Sequence, residues 1–536
     1  MALKSHYIQC SIFLCLIGIG CCLVTGCGDD TQSEQIEGSP QISHQSGDIP
    51  PEPETGSEPE TQHAEPSLDT NIAVPSDSTV LFDGWQKPST VLVFTGRQFG
   101  YIEPCGCTGL DRQKGGLARR HTFLDSLRKR NWDLFAIDTG NQVRRFGRQP
   151  EFKFNLTSEL LGQMQYAAVG LGPADLKLPA GELFAAVAVD DNDKSMFVSS
   201  NVAILDRAFT RRFQLLETPA GTIGLASVIS EQWLESLFND DLIVEKTDEA
   251  LREVVADSSF QKTDFKVLMV HGTLEYVREL AKSQTDFDLL VCAGAPGEPA
   301  YELESVARAK TKILKVGEKS MYASVVGIFQ TDTGRRDLKF QRVALDASYQ
   351  DSSVVLGMFK QYQEELQRSG FRGLGITPQE HASGYQFAGS QSCAECHVSA
   401  FEVWKNSPHA HATQSLIAPH GRAEIPRQFD PECLSCHVTG WQAQEYIPYE
   451  SGFMSLAETM HLEGNGCENC HGPASEHVRL ESDTESPVAE REKLRAFVHR
   501  DLTESKERCL ECHDLDNSPD FHLKGAFEKY WKKIQH

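Results

Sequence analysis

Four copies of the pattern Cys-x-x-Cys-His lie in the last quarter of this 536-residue chain and constrain its fold more than any other feature. In order along the chain they are Cys393-Cys396-His397, Cys433-Cys436-His437, Cys467-Cys470-His471 and Cys509-Cys512-His513. Two thiols three positions apart can form thioether bonds to both vinyl groups of one porphyrin, and the His that follows can ligate its iron. The pattern therefore predicts four covalently bound haem c groups, each with a proximal iron ligand from its own motif.

Two other uses of paired cysteines fit the pattern less well. Zinc ribbons also contain Cys-x-x-Cys pairs, but they do not need a His directly after each second cysteine. A thioredoxin-like redox pair is a single motif on a βαβ frame, whereas four motifs stand here in loop-rich sequence. Haem attachment accounts for half of the sixteen cysteines.

The N-terminus has the composition of a secretory signal. Lys4 precedes an apolar run from about residue 8 to residue 24, and the run ends at Val24-Thr25-Gly26-Cys27. A transmembrane helix usually needs about 20 apolar residues, so the run is short for an uncleaved anchor. It resembles a bacterial lipoprotein signal. The resemblance implies that residues 1–27 are the signal region, that Cys27 carries the lipid, and that the protein is held on the periplasmic side of a bacterial membrane.

Residues 28–88 are predicted to be a disordered tether. From residue 28 to about residue 80 the chain has twelve Asp or Glu and no Lys or Arg, and it is rich in Pro, Ser and Thr, so it cannot build a core. This segment supplies nearly half of the formal net charge of −25, and its like charges favour an extended chain. The acidity argues against nucleic acid as a partner.

Residues 89–347 are predicted to form an α/β sandwich domain, because short apolar runs alternate with helical patterns. One predicted helix covers residues 116–130. The predicted buried strands are Thr90–Thr95, Leu134–Asp138, Ala167–Gly170, Phe197–Ser200, Gly224–Val228, Phe265–Val270 and Leu289–Cys292.

The turns after these strands resemble those of the metallophosphoesterase domain in the periplasmic 5'-nucleotidase and UDP-sugar hydrolase family. In that family successive turns carry Asp-x-His, Gly-Asp, Gly-Asn-His, a lone His and Gly-His-x-His, which hold two metal ions. Of the matching positions only Asn141 and His271 keep a side chain able to coordinate, and one imidazole with one amide cannot offset the charge of two ions. The resemblance thus implies the fold with a degenerate metal site. The other ligand positions hold Arg97, Phe99, Leu171, Gly172, Ala295 and Gly297.

A pair of thiols follows the first strand, in the stretch Glu103-Pro104-Cys105-Gly106-Cys107, and a Gly-Gly-Leu-Ala-Arg-Arg stretch at 115–120 then enters a helix. Thiols on a Gly-rich turn beside arginines are expected to have a lowered pKa and to favour redox or soft-metal chemistry. Cys105 and Cys107 are therefore candidate catalytic residues, and together with Cys292 they are candidates to hold an additional metal ion. A structural thiol pair and a structural His271 are the alternatives.

Residues 348–386 are predicted to be a helical linker, with an amphipathic helix that ends near Gly370. Its apolar positions at helical spacing are Val354, Val355, Met358, Phe359, Tyr362 and Leu366.

Residues 387–536 resemble the tetrahaem cytochrome c family typified by the nitrifier carrier that takes electrons from hydroxylamine oxidoreductase. Besides the haem motifs, the resemblance lies in Trp404-Lys405-Asn406-Ser407-Pro408-His409 and in Gly472-Pro473-Ala474-Ser475-Glu476-His477. It implies a loop-rich, mainly helical domain whose core is largely porphyrin. The sixth iron ligand of each haem comes from elsewhere in the chain or is absent. The candidate distal ligands are His409, His461, His477 and His536, with His411, His420 and His522 as substitutes.

These observations lead to one leading hypothesis and two alternatives. The leading hypothesis is a membrane-tethered periplasmic tetrahaem cytochrome that exchanges electrons with redox partner proteins and uses its α/β domain for docking or sensing. The first alternative is an oxidoreductase that acts on a small sulfur or oxyanion substrate at Cys105 and Cys107. The second is a metal-dependent phosphoester or nucleotide hydrolase, against which the lost ligands argue.

Overall fold

The structure is a computed structural model, and it describes residues 81–105, 113–145, 147–188, 195–237, 239–307, 310–330, 335–419 and 424–536. The predicted signal region with Cys27, the tether up to residue 80, Cys107 and His420 lie outside the described residues. For Cys105 the structure describes the backbone. The described chain folds into an α/β sandwich followed by a helical region, which confirms the fold class predicted from the sequence.

Most of the strands belong to two six-stranded sheets in the α/β region. In chain order the strands are β1 Thr90–Thr95, β2 Pro104–Cys105, β3 Lys114–Gly115, β4 Leu134–Asp138, β5 Tyr166–Gly170, β6 Phe197–Val198, β7 Val202–Ile204, β8 Phe213–Thr218, β9 Gly221–Ile229, β10 Leu242–Val244, β11 Phe265–His271, β12 Leu289–Cys292, β13 Glu304–Ser305, β14 Lys312–Lys315, β15 Tyr322–Gln330, β16 Arg336–Ala344, β17 Trp441–Gln442 and β18 Ile447–Pro448.

The α-helices lie between the strands of the α/β region and throughout the C-terminal region. In chain order they are α1 Leu117–Arg128, α2 Arg148–Gln163, α3 Ala180–Val187, α4 Glu231–Leu234, α5 Thr247–Ala256, α6 Ser258–Gln261, α7 Leu274–Ser283, α8 Ser353–Gly373, α9 Val398–Lys405, α10 Ala412–Ile417, α11 Pro431–His437, α12 Leu456–Thr459, α13 Cys467–His471, α14 Ser475–Ser482, α15 Val488–Val498, α16 Leu502–Cys512 and α17 Ala526–Trp531.

The α/β region has four layers. Sheet 1 has the order β16-β15-β1-β4-β5-β6, with β1, β4, β5 and β6 parallel. Sheet 2 has the order β13-β14-β12-β11-β9-β8 and is parallel except at its two edges. The sheets pack face to face through side chains such as Phe94 and Ile137 of sheet 1 and Met269 and Val291 of sheet 2. Helices α1, α2, α3 and α8 cover sheet 1, and α5, α6 and α7 cover sheet 2.

All seven strands predicted from apolar runs are present. Strands β1, β4 and β12 have the predicted ends, and the ends of the other four differ by up to three residues. The helix predicted over residues 116–130 is α1. Strands β15 and β16 are missing from the prediction because β16 carries charged residues on a half-exposed edge and β15 pairs with β1 from a distant part of the chain.

Helix α8 connects the two regions, as its amphipathic pattern predicts. It buries Val355, Met358, Phe359 and Leu366 against the outer layer of sheet 1, and its path breaks at Gly370, where φ is 55°. None of the described helices is both long and apolar enough to cross a membrane.

The C-terminal region contains short helices around a small apolar cluster. For the part of 387–536 that the structure describes, this cluster has six buried members. Other buried apolar side chains of the region, such as Leu480, Leu494 and Phe521, lie outside this cluster. The six are Leu416, Leu434, Val438, Trp441, Phe453 and Leu462.

Candidate functional site

The haem motifs lie on helical turns. Helices α11 and α13 contain the second and third motifs entirely, and the cysteines of the fourth end α16. On a helix, side chains three positions apart share one face, so both thiols of a motif point to the same side. Asp430 caps α11 by accepting a hydrogen bond from the backbone N–H of Glu432 at 3.1 Å. The local fold thus presents each thiol pair as a unit.

Three of the four motif histidines face a second histidine across a gap. The ring centroids are 6.4 Å apart for His397 and His477, and 5.9 Å apart for His471 and His536. A metal–nitrogen bond to histidine is about 2.0–2.1 Å long and the ring centre lies about 1 Å beyond, so two imidazoles on one metal ion have centroids about 6 Å apart. The observed gaps therefore match the space that one iron ion needs.

The third facing pair is His409 and His513, with centroids 6.1 Å apart. Both line a cavity of about 350 Å³ that also reaches Cys509 and Cys512 of the fourth motif. Burial, with a smaller contribution from His409, lowers the pKa of His513 to about 4, and burial lowers the pKa of His409 as well. Iron ligation needs neutral imidazoles, so thiols, ligands and space fit a haem at this position.

Hydrogen bonds orient two of the motif rings. His437 Nδ1 lies 2.8 Å from the carbonyl oxygen of Ala412, and His471 Nδ1 lies 2.8 Å from that of Val498. Because a carbonyl accepts, Nδ1 carries the proton in each ring and Nε2 keeps its lone pair for a metal. This supporting contact comes from a backbone group, so no residue type in the sequence signals it.

The predicted distal candidates separate into two groups. His409, His477 and His536 face motif histidines, whereas His461 packs beside Gly389 and forms none of the ring pairs found with motif histidines in the described chain. Of the substitutes, His522 contacts the backbone oxygen of His513 through Nε2 at 2.8 Å. The identity of the distal iron ligands stays a prediction, and the ring geometry favours His409, His477 and His536 over His461.

Cysteines of different motifs lie beside each other. The thiols of Cys393 and Cys467 are within hydrogen-bonding reach, and so are those of Cys436 and Cys512. The motif thiol Cys470 lines the same cavity as Cys509 and Cys512 of the fourth motif. The attachment points thus form one series, in the order first, third, fourth and second motif.

In the α/β region, a buried ion pair lies at the carboxyl end of β4. The carboxylate of Asp138 is 3.1 Å from Arg120 of α1, and both side chains are fully buried. It also accepts hydrogen bonds from Thr95 at 2.7 Å, from the Gly140 backbone at 2.9 Å and from Gln142 at 2.7 Å. Of the two arginines that enter α1, Arg120 therefore holds Asp138, whereas Arg119 donates to the backbone oxygen of Gln113 at 2.6 Å.

Arg97 occupies the turn after β1, at a position where the phosphoesterase family has a metal ligand. Its guanidinium donates to the backbone oxygen of Ala295 at 2.5 Å and pairs with Glu318 at 2.9 Å. Burial lowers the pKa of Arg97, but Glu318 opposes the shift. A cationic side chain with its own anionic partner thus fills this position.

The two residues still able to coordinate have structural contacts. His271 is fully buried, and its Nε2 contacts the backbone oxygen of Thr139 at 2.5 Å, which links sheet 2 to sheet 1. Burial lowers the pKa of His271 to about 4, so the ring is neutral. Asn141 accepts from the backbone N–H of Ala174 at 2.9 Å. No group of three or more His, Cys, Asp or Glu side chains is placed to hold a metal ion in the described part of the chain.

The predicted thiol site is only partly described. Backbone pairing of Pro104 with Gly115 and of Cys105 with Lys114 forms the small β2–β3 ladder. Cys292 is fully buried, and burial raises the pKa of its thiol, which favours an unreactive protonated form.

The α/β region contacts the haem region through buried charges that the sequence does not reveal. Glu103, next to the Pro104–Cys105 strand, accepts from Arg427 Nε at 2.6 Å. Lys153 of α2 pairs with Glu432, inside α11, at 2.7 Å. In sequence these residues have the appearance of solvated charges, and only the fold shows that each has a partner in the other region.

Further contacts reach the fourth motif. Asp516 pairs with Arg144 at 2.6 Å and with Lys319, and Arg145 stacks on Tyr446 with its guanidinium 3.9 Å from the ring centre. For the described residues, hydrogen bonds and ion pairs from the α/β sandwich therefore reach the segments around the second and fourth motifs.

Comparisons with known proteins find sequence similarity in the region that contains the Cys-x-x-Cys-His motifs. Residues 392–472 match the family model "Cytochrome c554 and c-prime", a stretch that contains the first three motifs. Cytochrome c-554 of Nitrosomonas europaea is 28% identical over 169 residues, which is 28% of this chain and 67% of that protein. This confirms the resemblance seen in the sequence, and it implies covalently bound haem c and redox partners.

The α/β region is similar to solved structures of another kind. A 5'-nucleotidase precursor from Thermus thermophilus aligns with a TM-score of 0.44 and 15% identity, over 52% of this chain and 59% of that one. The sulfate thiohydrolase SoxB of the same organism aligns with a TM-score of 0.44 and 11% identity, over 56% of this chain and 64% of that one. The chain thus spans less than two thirds of either structure.

Proposed function

We propose that this protein is a tetrahaem c-type cytochrome that carries electrons between redox partner proteins. The observation that carries the proposal is the set of three facing histidine pairs, 5.9–6.4 Å apart, each with one member from a Cys-x-x-Cys-His motif. When bound, each haem supplies a one-electron couple, and two imidazole ligands favour electron transfer over substrate binding at the iron. The chain's own residues hold the porphyrins, keep the axial rings neutral and fix their orientation.

The series of neighbouring thiols supports electron transfer in particular. Cys393 lies beside Cys467, and Cys436 lies beside Cys512, so attachment points of different haems are adjacent. A carrier needs such short separations between its centres. We assign His409, His477 and His536 as distal ligands because each faces a motif histidine.

The test is an elemental count with spectroscopy on the purified holoprotein. We expect about four iron atoms per chain, and electron paramagnetic resonance signals from at least three low-spin haems with two histidine ligands. Fewer than three low-spin haems in a fully loaded chain would contradict the assignment. A further one or two atoms of manganese, zinc or copper per chain would show that the α/β region holds a metal ion as well.

We further propose that Cys27 carries a lipid and that the protein is tethered to the periplasmic side of a membrane. The support is the sequence alone, namely the short apolar run that ends at a cysteine. Replacing Cys27 with Ala should move the protein from the membrane fraction to the soluble fraction. An unchanged membrane fraction would refute lipid anchoring at this residue.

A second candidate function is oxidation of a small sulfur or oxyanion substrate at Cys105 and Cys107, with electrons passed to the haems. The observation that favours it is the bond from Arg427 to Glu103, since Arg427 also lies in the electrostatic surroundings of Cys433. Glu103, two residues before Cys105, is thereby bonded to the segment that precedes the second haem motif. Replacing both thiols with Ser should abolish reduction of the haems by sulfite or thiosulfate while iron content stays at four. Unchanged reduction would refute this function.

A further inference from the structure

One lysine of the α/β region is inserted into the segment that carries the second haem motif. Lys153 lies in α2, and its Nζ is 2.7 Å from a carboxylate oxygen of Glu432. The side chain of Lys153 is 9% exposed, so the ammonium is withdrawn from water. A buried ammonium is costly unless it is paired, and Glu432 provides that partner.

The surroundings of this pair place its charge close to the second haem. Glu432 directly precedes Cys433, and Asp430 at the start of α11 is the next anionic group around Lys153. Asp430 is held in place by Gln149 at 2.7 Å and Gln363 at 3.1 Å. These amides fix the carboxylate of Asp430 at the N-terminus of the motif helix, and Lys153 from the α/β side pairs with the carboxylate of Glu432 beside it.

A charge at this place acts on the haem more strongly than a charge at the surface. Interactions between charges grow as the effective dielectric constant falls, and salt screens buried charges much less than exposed ones. Reduction adds one electron to the haem, so a nearby cation stabilises the reduced form and raises the potential. Burial and charge near a cofactor are among the means by which proteins set its potential.

We propose that Lys153 raises the reduction potential of the haem attached at Cys433 and Cys436, so that the α/β region tunes one of the four haems. The proposal rests on the proposed function, because it needs a haem at the second motif. It gives the α/β region a role that requires neither a metal ion nor a substrate of its own. Lys153 acts on the haem through the charge of its ammonium, and it is not expected to contact the iron.

The experiment is a potentiometric titration of the full-length holoprotein, followed by optical and electron paramagnetic resonance spectra that separate the four haems. Replacing Lys153 with Met should move one midpoint potential to a more negative value and leave the other three in place. Lys153→Arg should keep the wild-type value because it keeps the charge. The matched control is Lys282→Met, which removes a solvent-exposed Lys–Glu pair of 2.6 Å on α7 and should leave all four potentials unchanged.

A double variant separates electrostatics from packing. In Lys153→Met combined with Glu432→Gln, both charges are gone, so the shifted potential should return toward the wild-type value. A shift of the same size in the double variant would overturn the proposal, because it would show an effect of packing. Four unchanged potentials in Lys153→Met, with four iron atoms per chain, would also overturn it while leaving the proposed cytochrome function intact. Should Lys153→Met fail to fold, Glu432→Gln alone decides the question. It leaves the ammonium of Lys153 without its anionic partner and should raise the same midpoint potential, and an unchanged potential would overturn the proposal.

Discussion

The buried ion pair between Arg120 and Asp138 should contribute strongly to the stability of the α/β region. Replacing Asp138 with Asn keeps an oxygen that accepts from Gly140 and Gln142 but removes the negative charge opposite a fully buried guanidinium. Removing one partner of a buried pair typically costs about 3–5 kcal/mol, because the other charge is left uncompensated. Since about 1.4 kcal/mol is a factor of ten, opening of the sheet around β4 should become about a hundred to a few thousand times more frequent.

Hydrogen exchange followed by mass spectrometry suits this measurement, since it reports on β4 in the complete holoprotein. Peptides that cover Leu134–Asp138 should lose protection by the factor just given. Adding Arg120→Met to Asp138→Asn should restore part of the protection, because no buried charge then remains. The control is Arg128→Met, which breaks a partly exposed pair with Asp125 and should change protection by less than about 1 kcal/mol. Equal effects of Asp138→Asn and the control would refute the reasoning.

Three further outcomes are expected. The folded pKa of His271 is about 4 and its ordinary value is 6.5, so the unfolded chain binds more protons than the folded chain between these pH values, and lowering the pH from 7 to 5 should cost about 2 kcal/mol of stability. Urea titrations at both pH values should show a smaller loss of unfolding free energy for His271→Gln than for wild type. An equal loss would contradict the assignment of this titration to His271. Replacing His477 with Ala should convert one of the four proposed haems from low spin to high spin in electron paramagnetic resonance spectra, whereas His121→Ala on α1 of the α/β region should leave the spectra unchanged. Replacing Arg427 with Met leaves Glu103 without its ionic partner, so hydrogen exchange should show that the protection of backbone amides in 101–105 falls by about 2–3 kcal/mol. Unchanged protection would show that the pair does not hold this segment in place.

The strands of the α/β region were predictable where the local sequence contains the whole signal. Strand β1 is an unbroken apolar run that ends at a glycine turn, and its bounds agree with the prediction. Its neighbour β15 is equally buried, but it follows β1 by more than two hundred residues and its place beside β1 depends on the complete sheet. Strand β16 alternates charged and apolar residues at an edge, and such a pattern is weak evidence for a strand.

The sequence predicts the motif residues of each proposed haem site, but it does not predict which second histidine faces each motif histidine. Each Cys-x-x-Cys-His motif can be identified locally, because both thiols and the proximal His lie within five residues. The histidine that faces each motif ring is brought there by the fold, because His409 lies opposite His513 and His536 lies opposite His471. Lys153 lies on an amphipathic helix, where a charged residue usually faces water, and its burial depends on distant parts of the chain such as Glu432.

The residues inside the haem motifs also tie the motifs to each other. Asn469, between the two cysteines of the third motif, donates from its amide to the backbone oxygen of Val438 at 2.9 Å, directly after the second motif. Its neighbour Glu468 accepts from the backbone N–H groups of Ala388 at 2.9 Å, Gly389 at 2.7 Å and Ala474 at 2.8 Å. These three bonds satisfy the buried carboxylate of Glu468, and a buried polar group satisfied in this way is held rigidly. The attachment points should therefore shift little when a haem changes its oxidation state, which keeps the reorganisation energy of each electron transfer small.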